Sequence, residues 1–362
     1  MQSSVRIVGS LLVFALFGVA MGDAESTSQK KTSLQFDAQG QFKIVQFTDL
    51  HLREDSKEDD KTLALMGQVL DVEKPQLVVL TGDFLASSEQ PRQMMKLCSQ
   101  PMAERRIPWA VVMGNHDDEG TKDRRGLMDI VMSMPYSLSQ QGPKDIFGVS
   151  NYYLPVVSAD GGHTQWILYF LDSNAYPPEK SLGSYDWIHT DQIDWYRRTS
   201  KRLADGNGDR PCPALAFFHI PLPEYEHVLA ASDANLAGYR YESVCCPKIN
   251  SGFLAAMLEC GDIKGTFVGH DHVNDYEGTL HSIRLIYGRA TGFNAYGRDG
   301  FPRGARVILI EAGKDAFTTW LRLENSEKVQ YWIREQQPTA QGKSQKFSIA
   351  QCLRRCTLIL VA

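Results

Sequence analysis

The sequence predicts a mixed α/β fold, a single domain with two sheets and flanking helices over residues 40–325. Apolar β-like runs alternate with helix-periodic segments in the first third of the chain. The texture turns β-rich after Asn151, and neither a repeat nor a linker interrupts the stretch.

Ahead of that domain, Arg6 and the apolar run Ile7–Ala20 precede the small residues Ala20, Gly22 and Ala24, the pattern of a secretory signal peptide over residues 1–22. The run is shorter than the about 20 apolar residues that a membrane span needs. The expectation is a secreted chain, or one in an endomembrane or vacuolar lumen, with no membrane span after cleavage. Residues 25–33 are polar, and 23–39 read as a flexible lead-in. No Asn-x-Ser/Thr sequon is present.

Gln41–Phe47 reads as the first strand. Asp60–Lys74 carries Leu63, Leu65, Met66, Val69, Leu70 and Val72 at helical spacing and stops at Pro75. Gln76–Leu80 is a continuous apolar run, as in a strand buried on both faces. Gln90–Arg105 follows as a helix and Trp109–Met113 as another buried strand, which together build a parallel layer. Beyond Asn151, Tyr152–Val157 and Gln165–Leu171 read as paired strands, Thr190–Leu203 as a helix and Ala214–Phe218 as a strand. Gly252–Glu259 reads as a helix and Gly265–Val268 as a strand, before short strands and glycine turns over 275–324. Residues 326–362 form a polar tail containing Cys352 and Cys356 and ending in an apolar stretch too short for a membrane span or lipid-anchor signal.

Five of these strands run directly into residues with metal-binding chemistry. They are Thr48-Asp49-Leu50-His51, Thr81-Gly82-Asp83, Gly114-Asn115-His116-Asp117, His219-Ile220-Pro221 and Gly269-His270-Asp271-His272. In α/β sheets ligands gather outside the carboxyl ends of strands, so the five ends deliver carboxylate, amide and imidazole groups to one edge. Imidazole with carboxylate or carbonyl oxygen suits Fe, Zn or Mn. Singly, each motif is ordinary, because a histidine after a strand is usually a hydrogen-bonded residue and Gly-Asp is a common turn. The ordered set of five, each following an apolar run, is not ordinary.

That set resembles the calcineurin-like metallophosphoesterase superfamily over roughly residues 40–325. Phe218–Glu224, Val268–Asp275 and Gly288–Gly292 are similar to the small purple-acid-phosphatase-like branch of plants and fungi. The resemblance implies a four-layer α/β/β/α sandwich with a dinuclear metal site at a sheet edge. It implies one metal on Asp49, His51 and His272, a second on Asn115, His219 and His270, and Asp83 bridging both. It also implies hydrolysis of a phosphate ester by water activated on the metals, with no covalent phospho-enzyme. His116 is then the candidate general acid, Asp117 the carboxylate that orients it, and Asn115 with His116 the candidate phosphate contacts. One departure is clear. Purple phosphatases carry Gly-Asp-x-x-Tyr and Asp-x-Gly, whereas position 86 here is Ala and His51 replaces the Gly, so no tyrosinate-to-iron colour is expected.

The expected activity is therefore a phosphomonoesterase. The alternatives are a phosphodiesterase of nucleotides or lipid head groups and a non-catalytic phosphate- or partner-binding protein on the same fold. A formal net charge of −5 argues against a general nucleic-acid binder, which needs a basic face. Two divalent ions at the site would still present a phosphate ester with local positive charge. Of the other histidines, His163 and His189 read as turn and helix-start residues, and His227 and His281 as surface residues or pocket lining. Arg289 and Tyr296 are candidate substrate contacts, although a turn network accounts for their glycine-rich segment equally well. Seven cysteines are too few for a disulfide-built scaffold. Cys245 or Cys246 with Cys260 is the candidate staple beside the metal site, and Cys352 with Cys356 is another candidate pair.

Overall fold

The computed structural model describes residues 33–231 and 235–331. The expected signal peptide, the lead-in up to residue 32, and the tail beyond residue 331 with its two cysteines lie outside the described residues.

In chain order the elements are β1 (Leu34–Gln35), β2 (Gln41–Phe47), α1 (Glu58–Glu73), β3 (Leu77–Thr81), α2 (Pro91–Glu104), β4 (Trp109–Val112), α3 (Arg124–Met132), β5 (Tyr152–Val157) and β6 (Thr164–Phe170). They continue with α4 (Thr190–Asp205), β7 (Ala214–Phe217), α5 (Glu224–Ala230), α6 (Phe253–Cys260), β8 (Ile263–Val268), β9 (Glu277–Leu280), β10 (Ile283–Tyr287), β11 (Gly304–Glu311), β12 (Phe317–Leu323) and β13 (Lys328–Val329). One sheet has the order β13-β12-β11-β2-β3-β4, the other β1-β5-β6-β7-β8-β10-β9.

Three apolar layers hold the four structural layers together. Leu65, Met66, Val69 and Leu70 of α1, Met94, Met95 and Met102 of α2 and Leu127 and Val131 of α3 pack on Val45, Val78, Leu80 and Val111. The opposite face of that sheet, with Phe42, Ile44, Val79 and Val112, meets Trp166, Leu168, Phe170, Phe217 and Phe267 of the second sheet. Ile193 and Tyr196 of α4, Tyr225 of α5 and Phe253 and Met257 of α6 cover the far face through Tyr169, Ala216 and Tyr287. Because β3, β4 and β7 present apolar side chains on both faces, they read as apolar runs rather than alternating ones. The α/β/β/α sandwich is the predicted fold.

Several boundaries differ from the sequence reading. The lead-in does not extend to residue 39, because Leu34 and Gln35 pair with Val156 and Val157 and Leu34 and Phe36 are buried. The second sheet thereby gains an edge strand too short for an alternation pattern to reveal. At the other end Lys328 and Val329 pair with Arg322 and Leu321, so the sheet outlasts residue 325. The helices α3 and α5, nine and seven residues long, escaped the sequence reading because they span barely two turns.

The topology positions the site. β2, β3 and β4 run parallel, as do β6, β7, β8 and β10. Their carboxyl ends meet where the Thr48–Ala290 bridge joins the end of β2 to the segment after β10. Thr291 N–H donates to Thr48 O at 3.0 Å and Gly292 N–H to Asp49 O at 3.1 Å, fastening one sheet to the other at this edge.

Candidate metal centre

Each strand end turns abruptly. Asp49, His51, Asp83 and His270 adopt left-handed backbone conformations, with φ between 48° and 75°. Such conformations cost energy in non-glycine residues and cluster where the surrounding structure compels them. Here the compulsion is a set of bonds between the loops: His51 N–H to Asp83 O at 2.8 Å, Asp49 N–H to Gly82 O at 3.2 Å and Gly269 N–H to His219 O at 3.1 Å. Two glycines permit the close approach. A methyl group at Gly114 would stand 2.1 Å from Asp83 Oδ1, and one at Gly269 would stand 1.9 Å from Thr48 Oγ1.

The turns gather two donor groups that share Asp83. Asp49, His51, Asp83 and His272 each offer an atom, all within 4.8 Å of one another, and Asp83, His219 and His270 do the same. His51 Nε2 faces His272 Nε2 at 3.3 Å and lies 3.6 Å from Asp83 Oδ2. His272 Nε2 is 3.4 Å from Asp49 Oδ1. In the second group, His219 Nε2 lies 3.1 Å from Asp83 Oδ2 and 3.3 Å from His270 Nδ1. His219 Nδ1 sits 2.8 Å from the Thr81 carbonyl, which fixes the ring with Nε2 toward the cluster.

These residues fit a metal site. Asn115 Oδ1 is buried with no hydrogen-bond partner, and the N–H of the next residue, His116, donates to Asp83 Oδ1 at 2.9 Å, which sets this orphaned acceptor beside the shared carboxylate. Burial lowers His51 to about 4, and burial with His219 alongside lowers His270 to about 3, so both imidazoles are neutral and ready to ligate at neutral pH. For His219 burial acts against the proton, but the facing Asp83 carboxylate outweighs it and pushes the group up to about 9. Burial works against charge on Asp49 too, yet His272 brings it down to about 2.

His116 stands at the edge of this cluster, its ring 5.4 Å from that of His51. Its expected partner is a different carboxylate. Asp117 does not orient His116: its Oδ2 accepts from Asp83 N–H at 3.0 Å and Gly114 N–H at 2.7 Å, and its Oδ1 from Leu85 N–H at 3.0 Å. Asp117 thus ties the second and third loops together, while burial and the nearby Asp83 charge push its carboxyl up to about 7. Glu119 takes the role, with Oε2 at 2.8 Å from His116 Nδ1. Burial disfavours the His116 cation, but Asp83 and Glu119 together raise its pKa above the ordinary value. A turn from His116 O to Glu119 N–H brings the carboxylate back, and that spacing of three was the signal available in the sequence.

Further contacts had no local signal. Tyr176 OH accepts from Asn115 Nδ2 at 3.0 Å and donates to Glu119 Oε1 at 3.1 Å. Arg124 holds the third loop through Gly114 O at 2.8 Å and is clamped by both Asp172 oxygens. Tyr185 packs edge-on against His270 at 4.4 Å. Tyr296, already a candidate, stacks on His272 at 4.1 Å.

Arg289 is not a substrate contact. It is buried, bonded to the Asp275 carboxylate and to Pro302 O, and covered by Phe301. His281 lies in the β9–β10 turn, at the end of that hairpin away from the site, and is exposed. His163 lies exposed in the β5–β6 turn, His227 is exposed on α5, and His189 starts α4 against Phe147. The Cys245 or Cys246 staple to Cys260 is absent, since all three thiols are free. Cys245 N–H bonds Asp271 at the metal end, whereas Cys260 precedes β8 at its other end, about 17 Å away along six strand residues.

The chain belongs to the calcineurin-like phosphoesterase family, whose model matches residues 42–274. A relative from Arabidopsis thaliana described as "Probable inactive purple acid phosphatase 29" is 35% identical, covering 87% of this chain and 92% of its own length. "Phosphatase DCR2" of Saccharomyces cerevisiae is 37% identical over 82% of this chain and 56% of its own length. Among solved structures, a dimetal phosphatase from Danio rerio shares the fold at TM-score 0.53 and 12% identity, covering 77% of this chain and 98% of that one.

Proposed function

We propose that this chain is a phosphomonoesterase working at a two-cation centre. Asp49, His51 and His272 would hold one cation and Asn115, His219 and His270 the other, with the Asp83 carboxylate within reach of both. The observation that carries this reading is the meeting of the two donor groups at Asp83, with the Asn115 carbonyl oxygen buried and unpartnered beside them. The mixed nitrogen and oxygen donors suit Fe, Zn or Mn. When bound, such cations supply a water of lowered pKa and positive charge for the phosphoryl oxygens.

The chain's own residues do the rest. Glu119 occupies Nδ1 of His116, which leaves Nε2 as the nitrogen that gives a proton to the leaving oxygen. Asn115 is steadied through Nδ2 by Tyr176, so its carbonyl stays turned to the site. Asp117 and Arg124 keep the loop bearing Asn115 and His116 against the loop bearing Asp83. The Ile7–Ala20 run supports export of the chain.

A second reading follows from the printed name of the Arabidopsis relative: phosphate-ester binding without turnover. Metal analysis of purified protein with a panel of mono- and diesters separates the two. About two metal equivalents, monoester turnover and its loss in Asp83→Asn support a phosphomonoesterase. Preferred turnover of diesters makes it a phosphodiesterase. Bound metal and bound phosphate without turnover support the second reading, and a chain that retains no metal removes both.

A further inference from the structure

We propose that the phosphoesterase site takes esters whose leaving group is a planar aromatic ring, received by tyrosines fixed on the metal ligands themselves. This rests on the phosphoesterase reading above and adds a substrate class to it.

Each donor group has a tyrosine ring packed against it, an exposed one on the first group and a half-buried one on the second. On the Asp49–His51–His272 side, Tyr296 stacks on His272 with centroids 4.1 Å apart and yet is 54% exposed. Its hydroxyl donates to Glu242 Oε2 at 2.7 Å, while Glu242 Oε1 accepts from Val273 N–H at 2.8 Å. The ring is thus held at both its face and its tip. On the Asn115–His219–His270 side, Tyr185 meets His270 edge-on at 4.4 Å. Tyr176 stacks beside Tyr185 at 6.3 Å, is 48% exposed, and is anchored through Asn115 and Glu119.

Exposed rings normally move and carry an entropic cost when they bind something. These are already immobilised by bonds to the donor loops, so little ordering remains to oppose binding. A phosphate held at the cluster brings its ester substituent beside the exposed faces of these rings, the faces turned away from the ligands. A planar aromatic substituent gains offset or edge contacts with them that a saturated one of equal size cannot make. From Tyr296 the aromatic surface continues past Glu242 to Tyr241, which stacks on Tyr239 at 5.5 Å and carries the Arg298 guanidinium at 4.4 Å.

The test is competition calorimetry on the full chain loaded with Mn²⁺, comparing phenylphosphonate with cyclohexylphosphonate. The two match in size and neither has a leaving group, and each affinity is referred to the dianion because the phenyl compound is the stronger acid. The expected result is phenylphosphonate binding about fivefold to tenfold more tightly. In Tyr296→Leu, which keeps apolar bulk but no ring, the ratio falls toward one, with metal content and melting temperature measured alongside. Tyr296→Phe keeps the preference. Equal binding of the two phosphonates, binding of neither, or an undiminished ratio in a metal-replete Tyr296→Leu overturns the proposal. Turnover of nitrophenyl phosphate is measured separately, so the phosphoesterase reading stands or falls by its own result.

Discussion

Replacing Arg124 with Met gives a worked test of how the third loop is held. The guanidinium reaches Asp172 Oδ1 at 2.6 Å and Oδ2 at 3.1 Å, Gly114 O at 2.8 Å and Asp118 Oδ1 at 2.9 Å. Asp172 is fully buried and Arg124 only 15% exposed. Removing one member of such a pair costs about 3–5 kcal/mol, because the survivor is left as an uncompensated buried charge. Asp172 keeps two backbone donors, Val149 N–H at 2.7 Å and Asn174 N–H at 2.9 Å, which puts the loss at the low end, about 3 kcal/mol. At about 2 °C per kcal/mol for a domain of this size, the melting temperature falls by roughly 6 °C. Calorimetry in chelator isolates this from metal binding. Arg124→Met with Asp172→Asn should recover part of the loss, since the stranded charge is then gone while one oxygen still accepts from the backbone. A single-variant drop below about 2 °C, the scale of an exposed ion pair, would refute the reasoning.

Three other outcomes are expected. Gly114→Ala drives a methyl into Asp83 Oδ1, so the folded protein should retain less metal, as read by elemental analysis. His116→Ala should slow alkyl phosphates about 10²–10⁴-fold and nitrophenyl phosphates far less, because only the poor leaving group needs the proton. Glu119→Gln should follow the same pattern more weakly, and equal losses on both substrates would remove the general-acid role. Burial pushes the Cys212 thiol up to about 11, so its alkylation should rise roughly tenfold per pH unit from pH 8 to pH 10. A rate flat across that range would contradict the shift, and peptide mapping should find no bond from Cys260 to Cys245 or Cys246.

The fold and the clustering of the candidate metal-binding residues were legible because both are written locally. A strand buried on two faces must be a short apolar run, and a ligand at its carboxyl end must follow within a few residues. Asp49, Asp83, Asn115, His219 and His270 are therefore visible as residues just past β2, β3, β4, β7 and β8. The glycines beside them stand next to Asn115 and His270 in the sequence, but what they make room for, Asp83 and Thr48, comes from other loops.

What the sequence determined by itself was the class of fold, the family and the residues able to hold metal. Tertiary structure alone decided who partners whom around them. Glu119 rather than Asp117 serves His116 because Asp117 is consumed by three backbone N–H groups of two different loops. Tyr176 reaches Asn115 across 61 residues, and Arg124 reaches Asp172 across 48. Such pairings join one sheet to the other, and neither periodicity nor motif spacing carries them. A hydrogen bond depends on where two chains come to lie in space, and that is settled only when the two sheets pack face to face and their strand ends meet at one edge.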